Sequence, residues 1–537
     1  MKNFGVQSIW WLWLFILVLV FPITLLTLDV LPHLQQDEAQ ITDYGRLALN
    51  PNSDWSVTWL ISEEKPLLLW TYLGPLTAEI SSHFTGSSGL GPRVSSIIGG
   101  LVAASMLLGW LLARGVPGFA SFWLSTAFLL DPLFVLSQRM ARVDCWVFAL
   151  CIAACWILAS ESKSQNRSFP RIKLMTAGGL AAGAAFVWPS AIFLYPLIGL
   201  ELFRLTKAEE TIYKKFRSLA LASLNFLIGS VFVGFFLILP VWESLPSFFG
   251  DINTMVSQNV GTAKPTHNKL LVLLEYQPWL KMSKAFIKTF SPLIPVLGLA
   301  GALLHREKGL IFVTLVTVTV IFASLVYEFR VLYLLPYFIL LFSGIFLKEE
   351  QISTSRLLRK ASRVAMTVLV IWSIGISLIV RTALGLEASS EMDRDRIKHV
   401  LSTAIGPGEY KVFLDFTYEF YFVGRSLGWE MYTPYIQFTY DEQGNWLRES
   451  DHLPKDKFLE LLAMMDYAVF YQGAVNKELE DQLTSSGLYF STNWEIGDSA
   501  IKEAVSSTKS TVNVLRWFLQ GKQSYGSYVL YARKSQL

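Results

Sequence analysis

The sequence predicts a mainly α-helical, multi-pass membrane body followed by a soluble α/β domain. Three observations carry this. Hydrophobic residues make up 53% of the 537 residues and charged residues only 16%, against about 25% charge in a soluble protein. The charges are uneven, with 51 in residues 1–382 and 36 in the much shorter stretch 383–537. The balance changes sign there too: 30 basic against 21 acidic residues before the boundary, 15 against 21 after it. A soluble multidomain enzyme is excluded. So is a nucleic-acid binder, which concentrates basic charge on a soluble surface.

The elements follow in order. The first apolar run, Ile9 to Leu31, is too long for a signal-peptide core and has no small-residue cleavage site, so it reads as a retained span. Ten further runs sit at about 92–113, 117–137, 142–160, 173–188, 189–204, 216–240, 286–304, 309–327, 329–347 and 364–382, giving about 11 spans. Two connections are long, about 32–91 and 241–285, and long loops are usually functional. The first holds helix-forming patches at Asp37–Leu49 and Pro66–Phe84. In the tail, Lys411–Phe416, Tyr467–Tyr471, Leu488–Ile496 and Ser527–Arg533 read as strands. Lys455–Met464 and Asn476–Leu483 read as amphipathic helices. Residues 1–382 are therefore expected to form the membrane body and 383–537 a separate domain.

Basic residues orient the chain. With a cytoplasmic N-terminus, the inside segments 1–8, 113–117, 160–173, 204–217, 305–308 and 348–363 hold 18 Lys or Arg. The remaining 12 of the body lie in outside loops and span ends of about twice that length. An odd number of spans then places the tail domain outside the cytoplasm, in a multi-pass protein of the cell (inner or plasma) membrane. Cys145, Cys151 and Cys155 lie in one apolar stretch without a C-x-x-C pair and read as small apolar filler.

Charge at membrane depth is costly and needs a partner or a role. Asp37-Glu38, Glu63-Glu64-Lys65, Arg139, Arg142, Asp144 and Arg330 with Tyr333 all fall on the predicted outer face. A carboxylate can act as general base on an acceptor hydroxyl or amine. Lys and Arg can hold a phosphate and stabilise its charge as it leaves. Such a set suits group transfer from a lipid-phosphate donor. Neither G-x-x-x-x-G-K-[ST] nor G-x-G-x-x-G before a helix occurs, and a lipid-linked donor needs no cytoplasmic nucleotide site.

Four segments carry a family resemblance. Asp37-Glu38 stand in QQDEAQITDYGRLAL just after the first span. EEKPLLLWTY, Glu63 to Tyr72, resembles an E-K-P-P segment with Leu67 at the second proline. QRMARVDCWVFAL holds an R-x-x-x-x-D pattern, Arg139 to Asp144. RVLYLLPYF, Arg330 to Phe338, resembles a late R-Y-L-L-P span with two residues inserted. In this order the chain resembles the polyprenyl-phosphate-sugar-dependent glycosyltransferases of the GT-C fold, family 39-type. The aminoarabinose transferase and protein O-mannosyltransferase branch is the most similar. The resemblance covers roughly residues 1–350.

The resemblance implies a GT-C helical bundle that modifies a protein, lipid A or a glycan, with inversion at the anomeric carbon. It implies Asp37 as the acceptor-activating base, with Glu38 a supporting or alternative carboxylate. Asp144 would support the catalytic centre and Arg139 would order it and reach the donor phosphate. Lys65 and Arg330 would bind that phosphate, with Glu64 beside Lys65 and Tyr333 near Arg330. The donor would be a polyprenyl-phosphate sugar and the acceptor a lipid, protein or glycan, among membrane lipids and without nucleic acid. His267 and Glu64 are the residues with which a divalent metal would be considered; no strong ligand set fixes a metal. Plainer readings exist for each: Asp37-Glu38 as a solvated helix start, Glu63 to Lys65 as a solvated loop, Arg139 and Arg142 as snorkelling charges, Asp144 as a structural pair, Arg330 as an interface anchor and His267 as a solvated loop residue. The alternatives to a transferase are a lipid-linked saccharide transporter or flippase, and a non-catalytic envelope-assembly protein.

Overall fold

The computed structural model describes residues 6–30, 34–50, 71–86, 89–161, 171–206, 211–244, 271–305, 307–324, 326–347, 356–387, 394–415, 417–433, 455–496 and 526–536. Shorter described pieces lie at 32, 53, 55–57, 60–62, 65–66, 438–440 and 446–448. The chain forms two compact units. One comprises Met1–Ile23, Ser96–Gln138 and Val143–Val380, the other Thr24–Ser95, Arg139–Arg142 and Arg381–Leu537.

The first unit is helical. Its early helices are α1 (Val6–Leu25), most of α4 (Leu90–Arg114), α5 (Gly118–Leu129), α6 (Pro132–Arg139), α7 (Asp144–Glu161), α8 (Arg171–Val187), α9 (Tyr195–Leu205) and α10 (Ile212–Ile238). Helices Tyr276–Lys288, Leu293–His305, Lys308–Phe322, Leu335–Ser343 and Arg356–Ile374 follow. A helix occupies each of the eleven apolar runs. Among the described residues six of these helices are long and apolar enough to cross a membrane, or seven if the pair α5 and α6, bent by 50°, is one span. The chain is thus a membrane protein. The helix α10 shows why: Val231, Phe232, Phe235 and Phe236 are more than half exposed, a face suited to lipid rather than water.

Several predicted spans are interrupted. The run 286–304 breaks after Lys288, where Phe290 adopts a left-handed φ of 60° and Pro292 precedes the next helix. Proline bars continuation of a helix through its i−4 hydrogen bond. The run 329–347 is a short helix Glu328–Val331, a 3-10 turn Leu332–Leu334, the helix Leu335–Ser343 and a closing 3-10 turn.

Glycine sets the closest helix crossing. A Cβ on Gly178 would lie 1.9 Å from the Phe226 carbonyl oxygen, and one on Gly229 would lie 1.9 Å from that of Met175. The backbones of α8 and α10 therefore touch, as small residues permit in membrane bundles. One buried polar group links three helices. Arg114 donates to Glu201 at 2.6 Å and to Glu307 at 2.8 Å, and Trp110 adds a 3.1 Å bond to Glu201. These charges sit on or beside apolar helices and are paired with one another, as charges within a helical membrane body require.

The second unit contains α2 (Gln36–Leu49), a two-stranded antiparallel ribbon of β1 (Leu60–Ser62) and β2 (Lys65–Pro66), and α3 (Leu73–Thr85). Pro66, expected to open a helix, lies in the ribbon opposite Leu60, and the helix starts seven residues later. A C-terminal sheet completes the unit. Its strands are β3 (Lys411–Leu414), β4 (Glu430–Tyr432), β7 (Tyr467–Tyr471), β8 (Leu488–Ile496) and β9 (Gly526–Arg533), in the order β4-β3-β7-β9-β8. A separate hairpin pairs β5 (Phe438–Tyr440) with β6 (Trp446–Arg448). The β3–β4 and β3–β7 pairs are parallel and β7–β9 and β8–β9 antiparallel. Parallel pairs need crossover helices, here Tyr421–Leu427 and Lys455–Ala463. Phe413, Leu462, Met465, Phe470, Leu483 and Leu488 form the core beneath the sheet.

The helix crossing can be tested directly. Gly229→Leu is expected to lower stability by about 1–3 kcal/mol, the usual cost of overpacking. Gly234→Leu is the control, because nothing lies within 4 Å of a Cβ there. Thermal unfolding of the purified protein in detergent should show an earlier midpoint for the first variant only.

Candidate functional site

Two candidate residues of the second unit, Asp37 and Glu38, lie at the N-terminus of α2. They occupy its first turn, where negative charge meets the positive end of the helix dipole. The Glu38 carboxylate accepts the Gln35 backbone N–H at 3.0 Å, reaching back across that turn as a capping residue does. The two carboxylates then diverge. Glu38 is fully buried, and Arg93 grips both its oxygens at 2.7 Å. Arg93 also donates to the Leu28 carbonyl at 2.5 Å. Asp37 remains 44% exposed at its side chain and is bridged by the buried Arg142. One carboxylate braces the helix; the other faces outward with a guanidinium beside it.

Arg139 lies at the end of α6, buried, and donates to the Thr24 carbonyl at 3.1 Å and to the Thr27 hydroxyl at 2.9 Å; it also donates to the Thr27 carbonyl. Arg139 and Arg93 thus clamp the backbone that joins α1 to α2. Between Arg139 and Arg142, Ala141 holds a left-handed φ of 52°. That turn lets both arginines serve one unit within four residues.

The body of α2 is held equally firmly. Asp43 is fully buried and accepts from Arg46 at 2.7 Å, Ser56 at 2.7 Å, the Val57 amide at 2.9 Å and the Tyr421 hydroxyl at 3.0 Å. Burial, and then the charge of Asp43, hold the Tyr421 phenol well above its ordinary pKa, so it stays a donor. On α3, Glu79 takes both ends of Arg425 at 2.6 and 2.7 Å. The Arg46 guanidinium stacks 3.5 Å from the centre of the Trp55 ring. Gly45 has no room for a side chain, since a Cβ would lie 2.2 Å from the Pro75 carbonyl oxygen. The residues Asp43, Glu79, Tyr421 and Arg425 therefore fasten α2 and α3 to the C-terminal domain.

Lys65 lies in β2, its backbone paired with Ser62. Glu64 and His267 fall outside the described residues. The first unit holds the other candidates. Tyr333 donates to the Asp144 carboxylate at 2.5 Å, both fully buried. The Tyr333 ring stacks on Phe148, with centres 4.9 Å apart. Arg330, half-buried, has its guanidinium 5.5 Å from the centre of the Tyr327 ring. Among the described residues no group of three or more His, Cys, Asp or Glu could hold a metal ion.

This architecture has solved counterparts. ArnT from Cupriavidus metallidurans bound to undecaprenyl phosphate matches over 97% of this chain and 98% of its own, with a TM-score of 0.56 at 11% identity. The chain has a GT-C fold. ArnT in its apo state matches with a TM-score of 0.50 at 12% identity, over 97% of each chain. The arabinofuranosyltransferase AftD from Mycobacteria gives 0.50 at 13% identity, over 99% of this chain and 42% of that one. No family model and no curated protein sequence matches the chain.

Four residues of this GT-C protein were not singled out by sequence reasoning. Arg93 had one usable signal, a charge just inside the run 92–113. Asp43, Glu79 and Tyr421 had none, because the bonds that set them apart, Tyr421 to Asp43 and Arg425 to Glu79, join residues 378 and 346 positions apart.

The division of labour between the paired carboxylates makes a stability prediction. Removing one partner of a buried ion pair costs about 3–5 kcal/mol. Glu38→Ala is therefore expected to destabilise strongly, whereas Asp37→Asn, at a half-exposed carboxylate whose amide replacement still offers Arg142 an oxygen acceptor, should cost less, about 1 kcal/mol. Denaturant or thermal unfolding in detergent reads the difference. Equal loss in both variants would contradict it.

Proposed function

We propose that the protein is a membrane glycosyltransferase that moves a sugar from a polyprenyl-phosphate donor to an acceptor at the extracytoplasmic face. In this reading about eleven spans form the body, residues 1–382. The domain 383–537 lies on the outer side with the loop near 32–91. The observation that carries it is Asp37: an outward carboxylate at a helix N-terminus, held by Arg142 on a turn that Glu38 and Arg93 brace. The GT-C fold and the solved likeness bound to undecaprenyl phosphate support the choice of donor.

The chemistry follows from those groups. An acceptor hydroxyl or amine gives its proton to Asp37 as its oxygen or nitrogen attacks the anomeric carbon. The new bond to the acceptor forms on the face opposite the departing phosphate. The anomeric carbon–oxygen bond breaks, and its electron pair goes to the phosphate oxygen. The sugar is thereby inverted and a polyprenyl phosphate monoester leaves. Its charge grows during the step, so cations are what the transition state needs. Lys65, Arg139 and Arg330 supply them in this reading. Asp144, fixed by Tyr333, supports the centre. Glu38, with both oxygens held by Arg93, acts as a brace and leaves proton transfer to Asp37.

The test is transfer from a labelled polyprenyl-phosphate sugar to an envelope extract by purified, folded variants. Asp37→Asn is expected to lose about 10²–10⁴-fold in turnover, the usual worth of a positioned base. Lys65→Ala is expected to weaken donor use at least about tenfold. Retention of transfer by both variants would overturn the reading. Mass spectrometry of envelope glycolipids, glycans and glycoproteins in a deletion strain would name the sugar and acceptor from the mass that disappears.

A further inference from the structure

The helix Tyr276–Lys288 of the first unit has three faces of different chemistry. Met282, Ala285 and Phe286 are buried, and Thr289 at the C-cap continues their row. Their spacing, i, i+3, i+4 and i+7, is that of a helix packed on a protein core. A second stripe holds Lys281, Lys284 and Lys288, at i, i+3 and i+7, all exposed. A third holds Tyr276, Trp279 and Ile287, which are exposed although apolar or aromatic. The turn Leu271–Leu274 just before the helix adds two more such residues, Leu271 and Leu274.

An exposed apolar stripe and an exposed basic stripe on one helix suit the boundary between hydrocarbon and headgroups. The place in the chain agrees. Phe290, with its left-handed φ of 60°, and Pro292 separate this helix from the next, where Leu293–Leu304 carries no charge. Tyr and Trp are the residue types that settle at headgroup level. The Trp279 indole is fixed by a 2.8 Å bond from its Nε1 to the Leu273 carbonyl and by the Phe322 ring, with centres 4.8 Å apart. Residues 271–288 hold three lysines against one glutamate, Glu275. Lys288 pairs with Glu328 at 2.8 Å; among the described residues Lys281 and Lys284 have no ion pair. An acidic polypeptide would meet these two lysines and leave the apolar stripe uncovered. An acidic phospholipid meets both, with its phosphate on the lysines and its acyl chains along the apolar side chains.

We infer that the helix Tyr276–Lys288 is a docking surface for acidic phospholipid, with Lys281 and Lys284 at the headgroup phosphate and Tyr276, Trp279 and Ile287 against the acyl chains. Charge sets the preference. A zwitterionic phospholipid carries the same phosphate with a cation beside it, so two lysines gain less from it. The attraction acts within a Debye length and weakens in salt. The inference goes beyond sugar transfer: it concerns the lipid around the membrane body, not the donor, and it stands or falls independently of Asp37 and Lys65.

The test is photo-cross-linking of the full-length protein in liposomes that mix phosphatidylcholine with phosphatidylglycerol. One lipid or the other carries a photoreactive acyl chain, and mass spectrometry maps the adducts. Adducts on Tyr276–Lys288 should favour phosphatidylglycerol at least about threefold over its share of the bilayer. In the double variant Lys281→Gln, Lys284→Gln the adducts should persist, because the apolar stripe is intact, but the preference should vanish. The pair Lys281→Glu, Lys284→Glu should invert it. The pair Lys214→Gln, Lys215→Gln, exposed lysines on α10, should leave it unchanged. About 1 M salt should reduce the preference of the wild type, a reading that needs no variant to fold. Three results would overturn the inference: no adducts on this helix, labelling of the wild type in proportion to the bilayer, or a preference that survives both the glutamine variant and salt.

Discussion

The ion pair of Glu38 with Arg93 is the constraint on which the rest of the candidate site depends. Both groups are fully buried, two 2.7 Å bonds join them, and each has a further backbone partner in Gln35 or Leu28. A buried pair offsets its desolvation only with such complete satisfaction. The consequence is mechanical. Arg93 ties the first turn of α2 to the backbone leading out of α1 at Leu28, and Arg139 ties that same backbone one and four residues earlier, at Thr27 and Thr24. Asp37 is one residue from Glu38, so its position follows from the clamp rather than from its own contacts.

The C-terminal domain extends the same logic. Asp43 and Glu79, on α2 and α3, are met by Tyr421 and Arg425 on one short helix of that domain. The Tyr421 bond is neutral to charged, and the Arg425 bond is a bidentate fork, the arrangement that adds geometry as well as strength. The domain thus serves to hold the helices that present Asp37. Flexible attachment would leave the carboxylate proposed as the base free to wander, and displacements of an ångström are costly in catalysis.

Much of this was legible in the sequence. Charge scarcity and apolar runs pointed to a membrane protein, and Tyr467–Tyr471 and Leu488–Ile496 are strands as read from the sequence. The four motif segments pointed to the fold now seen. Other features were hidden for physical reasons. The break near Phe290 depends on a left-handed backbone at a residue with no preference for it. The roles of Asp37 and Glu38 look alike in sequence and separate only through burial and partner choice. Arg381 sits near the end of an apolar run, where an interface anchor is the ordinary expectation. Only its buried Nε and Nη1, which have no hydrogen-bond partner among the described residues, distinguish it.

The central claim is that the protein breaks a donor's anomeric bond rather than moving the intact lipid. Phosphorus NMR of a polyprenyl-phosphate sugar, incubated with the protein reconstituted in liposomes, tests it most directly. The account predicts that the diester signal gives way to a monoester signal when an acceptor-containing envelope fraction is added, and stays constant without it. A diester signal that persists with acceptor present, while the labelled lipid crosses the bilayer intact, would contradict it.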